Sequence, residues 1–350
     1  MKRYSNLWER ILTFENFYDA YLEAMRGRRY RSEVMSTAKR VELIIHQLMF
    51  ELQTGTWHPA KYYEFECRTE VKRRMIDAPT FRDRMVHHAI DRVIRPLFEH
   101  KYIFDSYACQ KGKGTHAACR RLQHFLRKAA AGGKHVYVLQ ADISKYYPSV
   151  SHDVLKTEIR RTIADEKLLE VLDSLIDSFN EDVCYGIPIG SLTSQMFANV
   201  YLNPFDHFMK ECRQEKFYLR YMDDFIVVSD SKEHLKEALA DATWFVETQL
   251  KLKLNPKTKI FPASHGVDFA GYRTFIDKTL PRKRNIKAAK IRFKNLSWMF
   301  RHGRASTDDA KKIVASFLGY CKHCKSRKSA GSALRRLVLS KSKCKEETEQ

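Results

Sequence analysis

The amino-acid sequence predicts an α+β fold, a sheet with helices on one face, on three observations. The run FYLRYMDDFIVVS, residues 217–229, sets aromatic and β-branched residues on either side of two adjacent acids, Asp223 and Asp224, and reads as a β-hairpin. The run VYVLQADISKYYPSV, residues 136–150, reads as a strand that ends in a further acid, Asp142. Around these two, apolar residues recur at helical spacing, so the central order is strand, helix, helix, hairpin, helix, strand, hairpin. With 350 residues, 44% apolar and 30% charged, the chain is long enough for two or three cores and too apolar to be disordered.

Residues 5–52 read as two helical segments. One carries Leu7, Ile11, Phe14, Phe17, Tyr18 and Leu22, the other Val41, Ile44, Ile45, Leu48, Met49 and Leu52, and a basic run at residues 26–31 lies between them. Gly55 and Pro59 stop the second segment, and residues 62–67 read as a strand. In VKRRMIDAPTFRDRMVHHAIDRVI, residues 71–94, three basic residues lead into a Pro79 turn and an amphipathic helix over residues 83–94. Such a basic strand can grip phosphate oxygens or present a solvated face, and both readings suit this stretch alone. His87 and His88 read as a packing and solvent pair. SYACQKGKG, residues 106–114, lacks the spacing of a nucleotide phosphate loop; its amides and lysines, ahead of a helix, suit a nucleic-acid backbone.

Gly186, Pro188 and Gly190 make a loop that lets a backbone approach a ligand closely, and Ser191, Thr193 or Ser194 can cap the helix that follows. After the acidic hairpin come a helix over residues 232–250 and then LKLNPKTKIFP and VDFAGYRTF, which read as strands around Gly271. Residues 281–350 hold 20 Lys and Arg against 5 Asp and Glu, most of the net charge of +21. Ile286, Phe293, Leu296, Ile313, Val314 and Phe317 recur there at helical spacing, so this is a folded basic helical region rather than a tail. Its charge points to a polyanionic partner, nucleic acid ahead of a membrane. No apolar run approaches the ~20 residues of a membrane span, and the N-terminus is too polar for a signal peptide; the expectation is a cytoplasmic protein with no membrane partner. The eight cysteines are scattered and expected to be reduced. Cys321 and Cys324 have zinc-ligand spacing but no second such pair nearby, so thiols on a basic helix are expected instead.

Two like charges on neighbouring residues repel, and Asp-Asp is a poor tight turn. An exposed acidic turn is the commoner outcome for such a pair; a bound divalent cation is the other. Asp142 shifts the balance, because an acid at the end of a buried strand is costly without a partner. If its strand neighbours the hairpin, three carboxylates meet and suit two Mg²⁺ ions ~3.5 to 4 Å apart, the arrangement phosphoryl transfer uses.

Taken in order, QADISKYYPSV, GIPIGSLTSQ, YMDD, LNPKTKI and FAGY resemble the successive palm motifs of reverse transcriptases, and the likeness runs over most of the chain. The resemblance implies a right-hand polymerase: an N-terminal extension and fingers over residues 1–135, a palm over 136–278 with finger-palm helices at 151–185, and a basic helical thumb and tail over 279–350. It implies template RNA, an RNA–cDNA duplex and deoxynucleoside triphosphates as partners, and two Mg²⁺ ions for which Mn²⁺ can substitute. By position, Asp142 and Asp223 would bind both ions, Asp224 would complete the acidic cluster, and the Ile143 carbonyl would face the nucleotide-side ion. Tyr147 matches the bulky residue that blocks a ribose 2′-hydroxyl, with a core aromatic as the alternative. Lys72 and Arg74 match the triphosphate-binding pair, and Ile189, Gly190 and Gln195 fall where the family meets the nucleotide. Lys257 or Lys259 stands where the family protonates leaving pyrophosphate, and Phe269, Ala270, Gly271 and Tyr272 resemble the primer grip.

Most reverse transcriptases carry Gln-Gly and Ser-Pro where this chain has Ile189-Gly190 and Ser194-Gln195. The pattern IGxxxSQ is similar to the enzymes of diversity-generating retroelements, encoded by bacteria, archaea or phages. Those enzymes misincorporate opposite template adenines and work with a small basic accessory protein. A group II intron-like enzyme is expected to keep Gln-Gly, and a retron enzyme to carry a Val-Thr-Gly thumb motif that this sequence lacks. From a different class, an inactive palm-fold scaffold would bind nucleic acid without catalysis; the presence of all three acids argues against it.

Overall fold

A computed structural model describes residues 3–67, 74–179 and 183–340. In chain order the elements are helices α1 (Trp8–Ile11), α2 (Phe14–Ala24), α3 (Ser32–Ala38) and α4 (Val41–Thr54), strands β1 (Tyr63–Cys67) and β2 (Arg74–Ala78), helices α5 (Phe81–Glu99) and α6 (Thr115–Ala129), and strand β3 (Tyr137–Asp142). Then come helices α7 (Tyr146–Ser149), α8 (His152–Arg160), α9 (Glu166–Asp177) and α10 (Leu192–His207), the last running into a π-helical turn, Phe208–Cys212. Strands β4 (Tyr218–Tyr221) and β5 (Asp224–Ser229), helix α11 (Lys232–Thr248) and strands β6 (Lys259–Pro262), β7 (Val267–Phe269), β8 (Tyr272–Thr274) and β9 (Thr279–Pro281) follow. Helices α12 (Lys283–Arg301), α13 (Thr307–Cys321) and α14 (Arg327–Leu334) complete an α+β fold. Its sheets have the strand orders β1-β2, β4-β5-β3-β6 and β7-β8-β9. Among the described residues no helix is long and apolar enough to cross a membrane.

The chain divides into two compact units, one of Met1–Gly112, Leu139–Val227 and Lys236–Lys259, the other of Lys113–Val138, Val228–Leu235 and Ile260–Gln350. In the first, the two helical segments expected before residue 52 are four helices. The Thr13 hydroxyl accepts the Asn16 amide at 3.2 Å and so opens α2 afresh, and Gly27, at φ +71°, breaks the chain after it. Gly55 ends α4 as expected, in the left-handed conformation that suits glycine. Helix α5 is capped by Thr80 and buries Met85, Val86, Ala89, Ile90, Val93 and Ile94 along one stripe. Arg92 ties α5 to α2 through Asn16 (3.1 Å), Glu23 (2.6 Å) and Asp19 (2.7 Å).

In the second unit, α6 lies along the β7-β8-β9 sheet, with Gln123 and Arg127 donating to the carbonyls of Phe275 and Ile276 at 3.3 and 2.9 Å. The periodic apolar residues of the basic region do form helices. Ala289, Phe293 and Ala333 are buried together, with Ile313, Val314, Phe317, Leu334 and Leu337 packed against them.

Candidate active site

Strand β3 buries Val138, Leu139 and Ala141 and leaves Asp142, its last residue, half-buried. The acidic hairpin pairs Tyr218 with Val227, Leu219 with Ile226, Arg220 with Phe225 and Tyr221 with Asp224. The two-residue loop is therefore Met222-Asp223, and Asp224 opens β5, whereas the sequence predicts both acids at the tip. The shift has a physical reason, since one loop position must take positive φ and Met222 takes it at +58°. Strands β5 and β3 are neighbours in the sheet. The Ile143 amide donates to the Asp223 carbonyl at 3.3 Å, which fixes the end of β3 beside the loop.

Behind the loop lies a residue the sequence did not flag. Arg220 is 0% exposed, as is its partner Asp206 on α10. Its Nε and Nη2 meet the two Asp206 oxygens at 2.7 and 2.6 Å, and its Nη1 donates to the Met222 carbonyl at 2.8 Å and to Asn199 Oδ1 at 3.2 Å. Tyr218 adds a hydroxyl to Asp206 at 2.6 Å. Burial opposes the charge on Arg220, yet Asp206 outweighs it and raises the guanidinium pKa. The loop at residues 106–109 is lashed to the same place: Ser106 Oγ accepts from Arg220 at 3.3 Å, the Tyr107 amide donates to the Arg220 carbonyl at 3.0 Å, and Asn199 donates to the Ala108 carbonyl at 3.0 Å. So the first half of the stretch expected to touch nucleic acid instead supports the hairpin from behind.

Tyr147, on α7, directs its hydroxyl to the Met222 sulfur at 3.9 Å, while Tyr146 beside it is buried and donates to the Ala198 carbonyl at 2.5 Å. One tyrosine anchors the short helix and the other stands half-exposed beside the acidic loop. Ile189 and Gly190 meet β2. The Asp77 amide donates to the Ile189 carbonyl at 2.7 Å, and the Ile189 amide returns a bond to Asp77 Oδ2 at 3.3 Å. Burial raises the Asp77 carboxyl, and the Ile189 amide pulls it the other way. Gly190 sits at φ +129°, and a Cβ there would lie 2.7 Å from Ile76 Cγ2, so only glycine allows this approach. Gln195 is half-buried on the first turns of α10. Arg74 opens β2 opposite Cys67, and Lys72 lies outside the described residues.

A family model described as "Reverse transcriptase (RNA-dependent DNA polymerase)" matches residues 68–274, more than half of the chain and all three acids. The chain belongs to the reverse transcriptase family. A relative, Protein YkfC of Escherichia coli (strain K12), is 26% identical over 275 residues, 67% of this chain and 72% of the relative. The group II intron-encoded protein LtrA of Lactococcus lactis subsp. cremoris is 22% identical over an alignment of 361 residues, which takes in 82% of this chain and 59% of LtrA. Among solved structures, apo telomerase from Candida tropicalis matches 81% of this chain and 60% of its own at a TM-score of 0.49 and 13% identity.

Several reverse-transcriptase motifs have local roles that sequence did not reveal. His87 is 1% exposed, and its Nδ1 lies 2.8 Å from Thr193 Oγ1 and 3.2 Å from Ser191 Oγ, so it is the packing member of the histidine pair. Ser191 holds the N-cap position of α10, but its hydroxyl turns to His87 and Thr193 and makes no capping bond. Burial, with Arg84 and His88 adding to it, depresses the His87 pKa to about 3. An unfolded histidine takes up its proton near pH ~6.5, so stability falls as pH drops below that value, by up to about 1.4 kcal/mol per pH unit. The stability difference between wild type and His87→Asn, measured by urea unfolding, is expected to be smaller at pH 5 than at pH 7.

Of the primer-grip candidates, all in the second unit, Phe269 is 0% and Tyr272 2% exposed. They close a β7-β8 hairpin whose loop is Ala270-Gly271, at φ +42° and +91°. Tyr272 stacks on Tyr320 at 4.8 Å, and the Tyr320 hydroxyl donates to the Gly271 carbonyl at 2.9 Å. Any ligand contact at this hairpin falls to the loop and not to the two aromatic rings. Lys257 and Lys259 are both exposed, the first just beyond Asn255 and the second at the start of β6. Burial pushes the Cys324 thiol up to about 11 and the Cys119 thiol up to about 12, which keeps both protonated. Among the described residues no three His, Cys, Asp or Glu side chains stand close enough to hold a metal ion as they are, the three acids included.

Proposed function

We propose that this chain is an RNA-directed DNA polymerase of the group II intron-like kind, with fingers in residues 1–135, a palm in 136–278 and a basic thumb in 279–350. The observation that carries it is the adjacency of Asp142 to the Met222-Asp223 loop, tied by the 3.3 Å bond from the Ile143 amide to the Asp223 carbonyl. Hard carboxylate oxygens on neighbouring strands are the donor set that Mg²⁺ prefers. Asp142, Asp223, Asp224 and the Ile143 carbonyl would hold two such ions, which supply charge neutralisation for phosphoryl transfer to a primer 3′-hydroxyl.

The residues around the acids have matching tasks. The Ile189 main chain, bonded to Asp77, closes the nucleotide side; Lys257 or Lys259 donates a proton to leaving pyrophosphate, and Lys72 and Arg74 take the triphosphate. Tyr147 selects the sugar, because a phenol ring beside the acidic loop excludes a 2′-hydroxyl. Tyr147→Ala is expected to cut discrimination against ribonucleotides at least ~10-fold, the lower end of what a steric pocket supplies. Unchanged incorporation ratios from single-nucleotide kinetics would remove Tyr147 from this role.

The proposed activity is tested by extending a DNA primer on an RNA template with deoxynucleotides and Mg²⁺. Product from the wild type but not from Asp223→Ala supports it, and no product from either leaves only the inactive scaffold. A group II intron-like assignment has the support of LtrA among the relatives. Ile189 and Gln195 favour a second reading, an error-prone enzyme of a diversity-generating retroelement served by a small basic accessory protein. A glutamine amide could hydrogen-bond near the nucleotide, whereas the Ile189 side chain cannot. Sequencing the cDNA decides between them, since substitutions concentrated opposite template adenines are expected only for the second.

A further inference from the structure

Asn255 belongs to the stretch LNPKTKI, in which only the lysines drew attention at the level of sequence. Its main chain forms a β-turn with Pro256 in the favoured second position, the Asn255 carbonyl accepting the Thr258 amide at 2.9 Å and the Thr258 hydroxyl at 2.7 Å. Its side chain is used at both ends. Asn255 Oδ1 accepts the Lys257 amide at 3.0 Å, and Asn255 Nδ2 donates to Asp142 Oδ2 at 3.1 Å. A backbone N–H can only donate and a carboxylate can only accept, so the amide has one consistent orientation.

The side chain is not needed to dock this stretch on the strand. The Asn255 amide already donates to the Asp142 carbonyl at 2.8 Å, the Ser144 amide to the Lys253 carbonyl at 2.8 Å, and Ile143 bridges Leu254. What the side chain adds is one neutral donor on one carboxylate oxygen. A neutral amide restrains the rotamer of Asp142 without cancelling the charge that a cation needs, as a lysine or arginine would, and it leaves Oδ1 open. It also joins that carboxylate to the turn that presents Lys257.

We infer that Asn255 is a positioning residue that restrains the Asp142 carboxylate and so favours divalent-cation binding there. The inference rests on the polymerase reading of the three acids. Outer partners of metal-binding side chains commonly account for 10- to 100-fold in affinity, which sets the expected size.

The test measures cation binding without turnover. Full-length protein is mixed with an RNA template, a primer ending in a dideoxynucleotide and the next complementary deoxynucleotide, and Mn²⁺ is titrated with free ion followed by electron paramagnetic resonance. Asn255→Ala is expected to weaken Mn²⁺ binding about 10-fold. Asn255→Ser keeps an acceptor for the Lys257 amide but is too short to reach Asp142, so it should weaken binding equally even if the alanine variant folds poorly. Thr258→Val loosens the same turn without touching Asp142 and should bind Mn²⁺ as wild type does. Wild-type affinity in Asn255→Ser, or equal weakening in Thr258→Val, would overturn the positioning role. If Asp142→Asn itself bound Mn²⁺ like wild type, the reading of the acids would fail first, and Asn255 with it.

Discussion

Arg220→Met is expected to lower folding stability by about 3–5 kcal/mol, because it strips the partner from a carboxylate that has no access to water. Asp206 is 0% exposed and would keep only the Tyr218 hydroxyl, one donor where it now has three. Urea unfolding gives the magnitude. Arg220→Met combined with Asp206→Leu removes both charges, and such pairs replaced by apolar groups of similar volume are often as stable as the original. The double variant should therefore regain most of the lost stability. It should not regain activity, since the Met222 carbonyl, 2.8 Å from Arg220 Nη1, loses its donor in either variant. Arg220→Lys keeps the charge but has no planar fork, so it cannot serve both Asp206 oxygens and the loop carbonyl together. Full primer extension by the double variant would confine Arg220 to stability and exclude a part in shaping the loop.

Arg220 also marks where sequence reading stops. The strands on either side of Asp223, the helix stop at Gly55 and the basic helices after residue 281 were legible, because each rests on a local pattern of periodicity or turn chemistry. Arg220 sits within one of those strands with nothing local to mark it as buried, since arginine is almost never fully buried unless paired. Its partner Asp206 lies on α10, 14 positions earlier, and nothing in either segment announces the other. The hairpin register failed by one residue for a related reason. Rules for turn composition do not foresee a methionine at positive φ, a conformation held here by a donor from outside the loop. Asn255 was the recoverable case: Asn-Pro ahead of two lysines is a turn signal, and an asparagine at the start of a turn has a side chain to place. Ser191 takes the expected N-cap position of α10 without the capping bond, because the cap rule assigns a serine hydroxyl to the backbone and gives no weight to a histidine more than 100 residues away.

Asp223→Asn should reverse the Arg220 pattern, with activity lost and stability kept. The bond from the Ile143 amide runs to the Asp223 main-chain carbonyl, so the loop stays tied to β3 whatever the side chain is. Removing one of three neighbouring carboxylates relieves repulsion in the cation-free protein, and the urea midpoint is expected to hold or rise. Primer extension should fall about a thousandfold or more, equivalent to ~4 kcal/mol of transition-state stabilisation, the scale of a charge-neutralising site. Excess chelator should bring wild type down to the same level, and Asp142→Asn should match it. The opposed signs discriminate between causes: a loop merely disordered by the substitution would lose stability and activity together, as Arg220→Met is expected to. Retention of even a tenth of wild-type extension by Asp223→Asn would remove the carboxylate from the reaction and return the acidic hairpin to a surface turn.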